Sequence, residues 1–196
     1  MPYVYSPFSG KSLGQVCYCS VGCGGTLKSC PTASSPCGTP SGCITSCTHY
    51  VVMSGSGWRA PLDIGGIGAN TPVRFYGSGT IRSIRVTHTD AICSSREIPW
   101  TLGILVDLYG FSNGTCPIGG VMYAHLNQAD RIPPGLYNSG LWGLKLGSVP
   151  SACNCGCSGD PHVHVQRKGG SSRVFSCGQG LTGGYTWVFY YNTECI

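Results

Sequence analysis

Asp160-Pro161-His162-Val163-His164-Val165 alternates imidazole and branched aliphatic side chains, and a period of two is the period of a β-strand. On such a strand His162 and His164 project together from one face, while Val163 and Val165 turn toward a core. Outward from this stretch, Thr71–Tyr76, Thr80–Val86, Gly103–Tyr109, Gly120–Leu126, His162–Arg167 and Tyr185–Tyr191 are short runs rich in Val, Ile, Tyr and Phe. Gly, Pro, Ser and Asn bound them, as turn residues bound strands. The pattern predicts a mostly β fold, an antiparallel sheet or sandwich with long Gly- and Cys-rich loops. No window is rich enough in Ala, Leu, Glu and Lys to predict a helix.

Composition agrees. With 31 Gly and 13 Pro in 196 residues, a helical bundle or coiled coil is excluded, because these are the two worst residues in a helix interior. A hydrophobic content of 41% supports a core and argues against wholesale disorder. Twelve basic and seven acidic side chains leave a formal charge of +5, spread without any basic run. Nucleic acid is therefore not an expected partner. Nothing approaches the ~18 consecutive apolar residues of a membrane span. No basic n-region or apolar h-region follows Met1, so no secretion signal is read there. Yet 14 cysteines are the density of extracellular, disulfide-stapled or metal-binding proteins. The expected location is extracellular or virion-associated, since a particle released by lysis reaches an oxidising place without a leader.

Three segments are expected. Residues 1–47 form a Cys-rich N-terminal extension holding Cys17, Cys19, Cys23, Cys30, Cys37, Cys43 and Cys47; cross-links replace the core that so short a segment cannot build. Residues 48–170 form the main domain, and 171–196 a β segment packed on it. The cysteines have two readings. One is a knot of disulfides. The other is a metal or iron–sulfur centre, for which Cys17, Cys19 and Cys23, with Cys153, Cys155 and Cys157, supply thiolates that staple an assembly. The odd number in the extension leaves at least one cysteine to pair elsewhere, bind something or stay reduced. Asn113-Gly114-Thr115 reads as a glycosylation sequon. Trp58, Trp100, Trp142 and Trp187 are expected in the core, Asp107 as a hydrogen-bonded or edge residue, and His88 at the surface.

Two further stretches stand beside the His-x-His strand. Tyr123-Ala124-His125-Leu126 ends an apolar run with a third histidine. Asp63 lies in Trp58-Arg59-Ala60-Pro61-Leu62-Asp63-Ile64-Gly65-Gly66, ahead of Asn70-Thr71-Pro72-Val73. In this order and spacing the chain resembles the lysostaphin-type zinc endopeptidases, which cut peptide cross-links in bacterial cell walls. The resemblance implies that Asp63 and His164 are metal ligands and that His125 and His162 are the catalytic pair, positioning and activating water and stabilising the oxyanion. It implies zinc as cofactor, lowering the pKa of bound water toward ~7 and polarising the scissile carbonyl. It implies peptidoglycan or its peptides as partner, together with the other proteins of an extracellular or virion assembly such as a phage tail tip or baseplate hub.

One position departs from the family. Four residues before Asp63, where the first ligand histidine belongs, stands Arg59. A guanidinium stays protonated and offers no lone pair. Asp63 and His164 alone fall short of the three protein ligands of a catalytic zinc. The expectation is a degenerate site in which the Arg59 cation takes the electrostatic place of the ion and pairs with Asp63. The module is then inert, kept for its shape or its grip on the wall. The alternative is an active zinc endopeptidase whose missing ligand comes from His49 or from a thiolate among Cys153, Cys155 and Cys157.

Overall fold

Ile104, Val106 and Leu108 alternate along one run with Leu105, Asp107 and Tyr109. The first three are fully buried and the others only partly so. That alternation builds the protein. The computed structural model describes residues 1–8, 68–89, 102–151, 163–169 and 189, together with the strand paths of 17–20, 58–65, 171–173 and 186–188. Among these residues the strands are β1 (Tyr3–Tyr5), β2 (Cys17–Ser20), β3 (Trp58–Gly65), β4 (Pro72–Phe75), β5 (Gly77–Ser78), β6 (Ser83–Thr89) and β7 (Gly103–Tyr109). They continue as β8 (Pro117–Ala124), β9 (Gly135–Tyr137), β10 (Leu144–Ser148), β11 (Val163–Lys168), β12 (Ser171–Arg173) and β13 (Thr186–Val188). A single 3-10 turn, Gln128–Asp130, is the only helical element among the described residues; Asn127 caps it by accepting from the Ala129 amide. The fold is mostly β and antiparallel, and no helix among the described residues is long and apolar enough to cross a membrane.

The largest sheet has the order β2-β3-β11-β8-β7-β6-β9. Its inner face presents Ile84 and Val86, Ile104, Val106 and Leu108, Val121 and Tyr123, Val163 and Val165 to one hydrophobic cluster. The same cluster takes Val4 and Phe8 from the N-terminal segment, Val73 and Phe75 from β4, Leu146 from β10, and Phe189. These belong to a second layer, in which β10 pairs with β4 and a smaller sheet runs β12-β13-β1-β5. Burying a Val, Leu, Ile or Phe side chain contributes about 1.5–3 kcal/mol, so this shared core is the main source of stability.

All six runs expected from the sequence contain a strand. Strands also form where no periodicity announced them. Within the segment 1–47, β1 sits between β13 and β5, and β2 pairs with β3 at the edge of the large sheet. Cys116, ahead of β8, is disulfide-bonded. His88 is not a free surface residue: its Nε2 lies 2.7 Å from the Ile132 carbonyl. Asp107 is not at an edge either, because β7 runs between β8 and β6. Trp142 differs most from expectation, being 60% exposed. It occupies a turn between Gly140 (φ 59°) and Gly143 (φ 77°), two left-handed positions that carry its side chain away from the core. The side chains of Trp58, Trp100 and Trp187 lie outside the described residues.

Candidate functional site

On β11 the alternation foreseen from the sequence holds: Val163 and Val165 enter the core, so His164 and Gln166 occupy the opposite face of the large sheet. Strand register fixes who stands beside them. His164 has Asp63 of β3 directly across on one side and Ala124 of β8 on the other. Cys19 of β2 is in turn registered with Asp63. Gln166 lies opposite Met122, and Met122 opposite Leu105. Met122, Ala124 and Leu105 form a small apolar cluster distinct from the main core. The outer face is thus half polar row, half apolar floor.

His125 joins the group from the end of β8. Its φ of 62° places it in the left-handed region, which costs a non-glycine residue roughly 1 kcal/mol and which His tolerates better than most. The next residue, Leu126, is anchored by its amide to the Leu102 carbonyl at 3.1 Å and by burial in the core. Between these fixed points the chain kinks, and the His125 ring meets that of His164 edge-on, with centroids 6.0 Å apart and planes at 71°. Both rings are shielded from solvent, His125 at 5% and His164 at 1% exposure.

A second contact orients His164. Its Nε2 is 3.0 Å from Gln166 Oε1. An amide oxygen only accepts, so Nε2 is the donor in this contact. Gln166 is itself fully buried, and its Nε2 has no hydrogen-bond partner among the described residues. Tyr123 faces the other way, into the core, and its hydroxyl is likewise unpartnered. Burial pushes that phenol far above its ordinary pKa, so it is no proton donor or acceptor for this face at neutral pH.

The residues marked out in the sequence are distributed as follows. Asp63 and His164 come together by register, and His125 by ring contact. Arg59 does not stand in their row: a β-bulge between Val165 and Arg167 shifts β3, so Arg59 is registered with Arg167, three residues along β11 from His164. Cys17 is registered with Gly65. His162, Cys23, Cys153, Cys155 and Cys157 lie outside the described residues, as does His49. The sequence reading missed Gln166, though its place two residues beyond His164 on a strand is the signal for it. It also missed the apolar floor.

Among the described residues these donors fall short of a catalytic zinc set. By register the His164–Asp63 pair brings one His and one Asp together, the third motif position is an Arg registered with Arg167, and the His164 Nε2 is engaged by an amide oxygen. A catalytic zinc takes three protein ligands and keeps a position open for water. No group of three His, Cys, Asp or Glu side chains placed to hold a metal occurs among the described residues.

Further along the same face Asp107 is registered with Arg85. Burial raises its carboxyl pKa, and the nearby Lys168 and Arg85 cations only partly offset this. The native state therefore holds the Asp107 proton more tightly than the unfolded chain does. Stability on this account is greatest below the ordinary carboxylate pKa of about 3.9 and falls as pH rises through the raised native value. Asp107→Asn is expected to raise the urea midpoint at pH 7, with the difference shrinking toward zero below that ordinary value. Equal gains at both pH values would show that ionisation is not the cause.

No family model, no curated protein and no solved structure matches this chain.

Proposed function

We propose that this chain is a lysostaphin-type peptidase-like module directed at bacterial cell-wall peptidoglycan. It keeps the histidine-bearing sheet without a working zinc site, and serves as a wall-binding or structural part of an extracellular or virion assembly. The observation that carries the reading is the state of His164. The imidazole sits across from Asp63, as a ligand pair would, yet it is buried to 1% exposure and held by Gln166. A hydrolytic centre needs access for a peptide and for the attacking water; the burial of His164 and the two ligand types its row offers among the described residues support the inert reading. Arg59, registered opposite Arg167, is of a residue type that offers no replacement ligand.

The active alternative, a zinc endopeptidase cutting cross-links, is favoured by one observation: the register brings Asp63 and His164 together. The two readings separate in one assay. Purified protein mixed with insoluble peptidoglycan is expected to pellet with it, to release no soluble fragments, and to behave the same with or without a chelator. Stoichiometric zinc in the purified protein, with fragment release abolished by chelator, would establish the enzyme instead.

A further inference from the structure

Trp142 is the most exposed large apolar ring among the described residues, at 60% exposure. It is held rather than loose. Tyr5 of β1 meets it edge-on at 5.7 Å and Tyr76, after β4, at 5.2 Å, both with planes at 71°. Tyr3 stacks on Tyr5 at 6.4 Å and 28°. The backbone beneath is pinned from both sides, since the Gly143 amide donates to the Phe75 carbonyl at 2.8 Å and the Gly143 carbonyl accepts from Arg74 Nη1 at 2.7 Å. Two tyrosine rings from separate parts of the chain, one of them backed by Tyr3, thus brace the indole in a fixed orientation. A rigid exposed aromatic loses little conformational entropy when something covers it.

The chemistry of the surround selects the occupant. The contributing segments, 3–5, 76–78 and 140–143, contain no charged side chain, and the nearby Arg74 guanidinium already donates to Gly143. The neighbouring groups are phenols and a hydroxyl, Ser78 Oγ donating to Tyr5 Oη at 3.3 Å. Leu141 packs back against the core. Among the described residues these segments offer a cationic ligand no carboxylate, and the nearby Arg74 is tied to the Gly143 carbonyl beneath the turn, so the groups beside the indole are a neutral aromatic face and neutral hydroxyls. A pyranose ring matches both features: its C–H face stacks on an indole, and its hydroxyls exchange hydrogen bonds with phenols.

We propose that Trp142, braced by Tyr5 and Tyr76, is a stacking platform for the neutral N-acetylated sugar rings of the wall glycan. The identity of the polymer rests on the wall-directed reading above; the sugar chemistry rests on the platform. Trp142 lies ahead of β10, in the layer across the core from the His164 face. Wall attachment through it does not require the buried histidines to open.

The test titrates an uncharged N-acetylglucosamine trimer into the whole protein and follows tryptophan emission, with pelleting on insoluble peptidoglycan measured in parallel. Wild type is expected to show a saturable emission change. Trp142→Ala, which should stay folded with only a modest fall in melting temperature because most of the ring is exposed, is expected to bind the trimer roughly tenfold more weakly, and Trp142→Phe to fall between. Equal binding by Trp142→Ala overturns the proposal, as does no saturable binding by wild type. If wild type ignores the trimer yet still pellets with peptidoglycan, the sugar platform falls and the wall-directed reading stands; if it does neither, both fall. Self-association of wild type that Trp142→Ala abolishes, without trimer binding, overturns the proposal in favour of a second copy of the chain.

Discussion

His164→Ala is expected to lower the unfolding free energy by about 3 kcal/mol even in the presence of a chelator, because the imidazole is part of the sheet's packing. Truncation to alanine at a buried position leaves a cavity, which costs about 2–5 kcal/mol for large side chains. It also strips Gln166 Oε1 of its donor in a place where Gln166 is fully buried, and an orphaned buried polar group costs about 1–3 kcal/mol. Relaxation of neighbouring Met122 and Ala124 offsets part of the sum. Urea denaturation followed by circular dichroism measures the loss. Pairing the change with Gln166→Ala in a double-mutant cycle is expected to return a coupling of about 1 kcal/mol, the size of one hydrogen bond. A His164→Ala protein as stable as wild type in chelator would mean that the ring waits for a ligand rather than supporting the sheet, and would revive the zinc reading.

Gly119→Ala is the other change expected to be severe. A Cβ at this position would come within 2.5 Å of the Lys168 carbonyl oxygen and 2.7 Å of Phe189 Cδ1. The first atom is backbone at the end of β11, which pairs with β8, and the second belongs to a fully buried ring. Neither moves without disturbing the contact between the large sheet and the second layer. Overpacking of this kind costs about 1–3 kcal/mol, and the upper end is expected here, a fall in Tm of roughly 6–12 °C for a domain of this size. Gly140→Ala is the control: its Cβ would meet nothing within 4 Å, and only the left-handed φ of 59° resists the change, worth about 1–2 kcal/mol. Equal Tm values for the two variants would show that Phe189 does not seat against Gly119.

The strands that could be read in advance share one property: each alternates over at least a few residues that bury one face. β7 is the clearest, with Ile104, Val106 and Leu108 against Leu105, Asp107 and Tyr109. β3 could not be read this way because Pro61 interrupts it, and proline lacks the donor a ladder requires. The structure accommodates Pro61 in the bulged stretch between Arg59 and Leu62, where pairing with β11 slips by one residue. β1 is three residues long and β5 two; neither has room for a period, and both exist because a partner strand completes their hydrogen bonds. Trp142 was misplaced for a related reason. An indole in a composition rich in core residues argues for burial, while its actual exposure comes from two left-handed glycines and a pinned turn.

The site divides along the same line. His164 facing away from Val163 and Val165 follows from period two alone, and so does the company of Gln166. That Asp63 stands across from His164, that His125 swings in to meet it, and that Arg59 falls into another row depend on interstrand register, one bulge and one positive φ. By itself the chain sequence determined a β-rich fold, the identity of its inward-facing residues and the chemical types available to a site, because local alternation and side-chain chemistry are written residue by residue. Only the tertiary structure decided which of those groups are neighbours and which ring is left open to solvent, because pairing register joins residues a hundred positions apart and no local period encodes it.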